Sequence, residues 1–148
     1  MPNVESLEQH NINYVKDDAF EREKKAHQEH NSDNFKFLYQ EDIPHGDALD
    51  KYELTSGVDI GSGTGWFANY LIEQRKYKKV YAIEPSGEAI EIAKKIYPDK
   101  KKVKYVKGFA EEEISKLKLS KPTFFSTMCC LAHLEDEDVL GILKTIDK

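Results

Sequence analysis

Residues 57–65 read Gly-Val-Asp-Ile-Gly-Ser-Gly-Thr-Gly, and no other stretch narrows the possible folds as much. Val58-Asp59-Ile60 is a short apolar run, and glycines at 61, 63 and 65 follow it at once. Trp66, Phe67, Tyr70 and Leu71 then recur at the spacing of one helical face. The pattern predicts a strand running into a glycine turn that opens a helix. Glycine lets the backbone take angles closed to other residues and lets a ligand approach the main chain. A helix start has unpaired N–H groups and positive dipole character, which suit an anionic group. The turn is therefore a candidate ligand site.

Downstream of the turn the pattern is regular. Strands are predicted at Gly57–Ile60, Val80–Glu84, Val103–Val106 and Thr123–Cys129. Helical patterns lie between them. Ala89, Ile92, Ala93 and Ile96 form one apolar stripe, with Ser86 placed to cap that helix. A short acid-started helix is predicted near Glu111–Lys118. Val139, Ile142, Leu143 and Ile146 form a last stripe, preceded by Asp136, Glu137 and Asp138, where the helix dipole favours negative charge. Strands alternating with helices mean right-handed crossovers and a parallel sheet covered on both faces. The expected fold class is therefore α/β, a doubly wound parallel sheet of about four strands.

Upstream, residues 1–16 show no period. Residues 17–30 read as a mostly exposed helix in which His27 and His30 are surface residues. Phe35–Tyr39 is aromatic and expected to dock on the body, Pro44–Asp47 is a turn, and Leu49, Tyr52 and Leu54 suggest a short helix. This divides one domain into a helical cap segment, 1–53, and a sheet-forming part, 54–148.

In a doubly wound sheet, ligands bind beyond the carboxyl ends of the strands. Glu84 closes the second strand, nineteen residues after Gly65, where a carboxylate can accept bonds from ribose hydroxyls. Strand, glycine turn, helix, strand and terminal acid together indicate a nucleoside ligand. The spacing is G-x-G-x-G, with Trp66 where a dinucleotide fingerprint wants its third glycine. A nicotinamide-dependent oxidoreductase is thereby disfavoured. Asp59 would sit near any phosphate and would instead attract an ammonium group, so a ligand with an adenosine end and an amino-acid end fits better.

These residues resemble the class I S-adenosylmethionine-dependent methyltransferases. Val58–Gly65 is similar to the family's first motif and Ala82–Ser86 to its second. Gly108-Phe109-Ala110-Glu111 resembles the adenine-side motif, and Thr127–Leu134 the fourth strand end and its loop. The resemblance covers about residues 54–146 and implies a Rossmann-like sheet. It implies that S-adenosyl-L-methionine is held by Asp59, Gly61, Ser62, Gly63, Thr64, Gly65, Glu84, Pro85, Phe109, Ala110, Glu111, Met128 and Cys129. Phe109 reads equally as plain core, and Glu111 as part of an acidic helix start. The family often has a histidine in the loop after the fourth strand. His133 is thus the candidate catalytic residue: it either deprotonates an acceptor or, as favoured here, holds the loop. His27, His30 and Tyr39 are weaker candidates in a segment that often caps the pocket.

The formal net charge is −5, which argues against a nucleic-acid partner and leaves a small-molecule methyl acceptor as the expectation. No run of 18 apolar residues predicts a membrane span, and the polar N-terminus does not read as a secretion signal. The adjacent Cys129 and Cys130 suit a reduced, cytoplasmic protein and make a poor metal site. The family's sheet has seven strands, and about four are legible here. The chain is therefore expected to be truncated after the fourth strand, with that apolar strand an exposed edge that pairs with a second copy. A non-catalytic cofactor-binding or interaction module is the alternative reading.

Overall fold

The computed structural model describes residues 8, 11–30, 52–99, 101–120, 122–127 and 134–148. Four strands form one parallel sheet: β1 (Ser56–Ile60), β2 (Lys79–Glu84), β3 (Val103–Lys107) and β4 (Phe124–Ser126). Their order is β3-β2-β1-β4, so the chain builds outward from β1 in one direction and then crosses to its other side. That reversal creates a switch point at the carboxyl ends of β1 and β4.

Alternation along the strands sorts the core into two layers. Val58, Ile60, Tyr81 and Ile83 face one side and pack with Ala110, Ile114 and Ile142. Val80, Ala82 and Val103 face the other side and pack with Ala68, Tyr70 and Leu71. The first layer is closed by α4 (Ala110–Glu113) and α5 (Asp136–Ile146), the second by α2 (Trp66–Glu73). The helix α3 (Gly87–Ile96) lies against β2 and β3, and α1 (Ala19–His30) rests on α3.

Each element has a local cause. Ser86 caps α3, its Oγ accepting from the Ala89 N–H at 3.2 Å. Ala89, Ile92 and Ala93 of the predicted stripe are buried, and Ile90 joins them. Trp66 and Phe67 are half-buried beside Leu71, with Phe67 stacked on Tyr70 at 5.7 Å between ring centres. The α5 acids Asp136, Glu137 and Asp138 do occupy its first turn.

Several sequence expectations shift. The helix predicted at 111–118 is only four residues long and tightens into a 3₁₀ turn, Ile114–Lys116. Of the strand predicted at 123–129, Phe124–Ser126 is regular, Thr123 and Thr127 are not, and residues 128 and 129 lie outside the described residues. Leu143, assigned to the apolar stripe of α5, is 53% exposed, because Ile142 takes the inward position. His27, expected on the surface, is buried, for reasons given below. The features predicted at 35–39 and 44–47, and residues 49–51 of the short helix predicted near 49–54, lie outside the described residues. Tyr52 and Glu53 of that predicted helix form a turn instead, with Glu53 at a φ of 47°.

Candidate functional site

The site starts from the β1 tip. Beyond Ile60 the chain cannot continue as a strand, because Gly61, Gly63 and Gly65 take φ of 68°, 53° and 83°. These values lie in the left-handed region that only glycine enters without strain. Gly61 and Ser62 donate to the Ile83 carbonyl of the neighbouring strand at 2.9 and 3.0 Å. At Gly65 space is short as well: a Cβ there would stand 2.6 Å from Tyr105 Oη. The turn then delivers Trp66 as the first residue of α2.

Glu84, at the tip of β2, is 1% exposed and binds this turn directly. Its Oε2 accepts the Gly63 N–H at 2.8 Å, and its Oε1 accepts the Ser86 N–H at 2.9 Å. One carboxylate thus ties the glycine turn to the start of α3. The Glu84 carbonyl in turn accepts from the Gly108 N–H at 3.2 Å, which brings the turn after β3 to the same tip.

Asp59 lies one layer below. It is 1% exposed, and Ser126 of β4 donates to its Oδ1 at 2.9 Å. Burial, opposed by the Ser126 bond and assisted by the nearby Glu84 charge, lifts its carboxyl to about 7. Tyr105 sits on the same side, accepting from Asn69 Nδ2 at 2.9 Å, and burial raises its phenol as well. Asn69 also donates to the Gly65 carbonyl at 2.7 Å, so the layer beneath the turn is pinned to it.

The N-terminal segment closes the site from above. Thr64, in the middle of the turn, donates to Glu23 Oε2 at 2.9 Å and meets His27 Nε2 at 2.8 Å. The other ring nitrogen of His27 meets Tyr97 Oη at 2.8 Å. This explains why His27 is buried: α1 docks through polar residues at i and i+4, so an apolar count does not reveal its inner face. Tyr14 completes the cover. Its Oη lies 3.5 Å from where a Cβ on Gly63 would be. Burial, then the Glu84 and Glu23 charges, push its phenol up to about 12.

The structure brings Asp59, Gly61–Gly65, Glu84 and Pro85 to one end of the sheet. Phe109 caps α4 beside that end and is half-buried. Ala110 instead belongs to the apolar core. Glu111 leans on α5, its Cγ 3.6 Å from where a Cβ on Gly141 would stand. Met128, Cys129 and His133 lie outside the described residues, as does Tyr39, and nothing is described of the His30 side chain. Sequence reasoning missed Tyr14, Ser126, Asn69 and Tyr105. Alternation in β3 could have placed Tyr105 on the Val103 face, and cross-strand register could have placed Ser126 beside Asp59. No periodic signal marks Tyr14.

Two hydroxyls bear on what fits here. Ser62 Oγ in the turn and Thr127 Oγ1 just past β4 are buried atoms without a hydrogen-bond partner among the described residues. Buried hydroxyls normally find partners. Both sit at the β1–β4 end of the switch point, as a polar ligand there would require.

No curated protein matches this chain. Among solved structures, YcgJ of Bacillus subtilis aligns at a TM-score of 0.52 and 20% identity, covering 70% of this chain and 44% of that one. The plantazolicin methyltransferase BpumL, solved with SAH, aligns at 0.51 and 20%, covering 91% and 51%. Phosphoethanolamine N-methyltransferase 1 of Haemonchus contortus, solved with phosphoethanolamine and S-adenosylhomocysteine, aligns at 0.50 and 18%, covering 93% and 30%. The chain therefore spans about half or less of the length of these structures, and the likeness is one of fold. The methyltransferase domain model matches residues 58–148, more than half of the sequence and all of the sheet but the first two residues of β1. With the glycine turn, the β2 acid and the β3-β2-β1-β4 order all in place, this chain belongs to the methyltransferase domain family and has its class I fold.

Proposed function

We propose that this chain binds S-adenosyl-L-methionine and transfers its methyl group to a small-molecule acceptor. The observation that carries the reading is Glu84: a buried carboxylate at the β2 tip that ties the glycine turn to the start of α3. Glu84 would accept from the ribose hydroxyls. Ser62 Oγ would face the amino-acid end, with Phe109 beside the adenine. Asp59 is fully buried and bonded to Ser126, so it would act on an ammonium group through the field rather than by direct contact.

The cofactor would supply an already activated methyl group, so the protein's main contribution is alignment of the acceptor. The tethers from Glu84, Asn69 and Thr64 hold the turn in one geometry, which is what alignment needs. His133 remains a proposal as the group that accepts a proton from a hydroxyl acceptor. The acidic balance of the chain supports a small molecule over a nucleic acid as acceptor. No helix among the described residues is long and apolar enough to cross a membrane.

Calorimetry with S-adenosylmethionine, S-adenosylhomocysteine and NAD tests the binding step. Saturable heat with the first two and none with NAD is expected, and binding of NAD alone overturns the reading. Release of S-adenosylhomocysteine across a panel of acceptors then tests transfer. A chain that binds but releases none acts as a non-catalytic binding module.

A further inference from the structure

A second cleft lies at the opposite end of the sheet, where β1 and β2 begin. Its volume is about 360 Å³, within the size range of small-ligand sites. Lys78, Lys79 and Lys118 line it, and no carboxylate does. None of the three lysines forms an ion pair among the described residues, in a chain whose net charge is negative. Three uncompensated ammonium groups on one small cleft repel one another and attract an anion.

The cleft is built rather than incidental. Ser56 Oγ and Ser120 Oγ meet at 3.0 Å, closing one wall between β1 and the loop after the 3₁₀ turn. Lys78 N–H donates to the Thr55 carbonyl at 2.7 Å, fixing the floor. Tyr81 donates to the Lys118 carbonyl at 3.3 Å, which sets the backbone that carries the third lysine. Lys79 Nζ donates to Tyr81 Oη and stands 4.3 Å from that ring's centre. This fixes the Lys79 head and leaves it further donors, since an ammonium has three. Leu119 supplies an apolar wall, packed on the core through its inner side.

We propose that this cleft binds a phosphomonoester. The lysines and the hydroxyls of Thr55, Ser56 and Ser120 would take the phosphate, and Leu119 with the Tyr81 ring would take the organic part. A compact dianion matches lysine, which acts as a point charge with rotatable donors and imposes no planar fork. The organic part explains why one wall is apolar. The site lies across the sheet from the glycine turn and does not depend on what binds there.

The test is a titration of phenyl phosphate into the intact 148-residue chain, followed by amide chemical shifts. Saturable shifts confined to Thr55, Ser56, Lys79, Leu119 and Ser120 are expected. In the Lys78→Gln, Lys118→Gln double variant the affinity should fall about tenfold, since each exposed charge contributes modestly. Lys104→Gln, an exposed lysine elsewhere on the sheet, should leave it unchanged. Inorganic phosphate should bind the same residues more weakly. The proposal is overturned if no saturable shift appears, if the double variant binds as tightly as the parent, or if the shifts fall on Gly61–Gly65.

Discussion

At the scale of single residues, Asp59 is the most unusual group in the molecule. Its carboxyl titrates at about 7 because it is buried, and an unfolded chain would ionise it near 4. The sign of the effect on stability follows from linkage. Below about pH 4 both states hold the proton and the group contributes nothing. Between about 4 and 7 the unfolded chain releases the proton while the folded chain retains it, so stability falls as pH rises. Above 7 the loss is complete, on the order of 4 kcal/mol. Asp59→Asn removes the titrating group and keeps an acceptor for Ser126. The difference in unfolding free energy between parent and variant should grow with pH across that window and then level off. Urea denaturation at a series of pH values measures it, and a flat difference would show that Asp59 is ionised throughout. Residues such as Asp59 are only half legible in a sequence. Position 59 identified the acid before the turn, but the Ser126 bond and the Glu84 charge that act on it come from β4 and β2, which the parallel sheet brings beside β1 from far along the chain.

At the scale of elements, the informative case is α1. An apolar stripe is what sequence reading detects, and α1 has almost none, with Ala19 its only buried apolar residue. It is held instead by the Glu23–Thr64–His27–Tyr97 network. Polar docking leaves no periodic trace, which is why His27 was expected outside. By contrast β1, β2, α2 and α3 were legible because burial on a parallel sheet demands dense apolar residues at fixed spacing. The ends of β4 and α4 were not, because local tightening and strand length depend on tertiary contacts. His27→Ala should destabilise the protein by about 1–3 kcal/mol, since it removes a buried side chain and its bonds to Thr64 and Tyr97. Thr64→Val should cost less. Because the two residues share a bond, the double variant should cost at least about 0.5 kcal/mol less than the sum. Thermal or urea unfolding of the four proteins completes the cycle, and strict additivity would show that the contact carries no energy.

At the scale of the whole molecule, the sheet order leaves β4 at one edge, bonded within the described residues to β1 alone. Phe124 and Phe125 on that strand are only half-buried. An edge of this kind is a template for another chain. The protein is expected to self-associate through β4, and sedimentation velocity at micromolar concentration measures it. A single monomeric species would remove the edge as an interface. The opposite edge, β3, carries Lys104 and Lys107 exposed, a pattern that discourages pairing. The glycine turn, finally, is fastened from three sides: by Glu84 on β2, by Asn69 on α2, and by Glu23 and His27 on α1. A loop held this way has surrendered its conformational freedom during folding. A ligand arriving there meets a pre-organised cradle and pays little ordering entropy, so the loop itself should add no slow step to association.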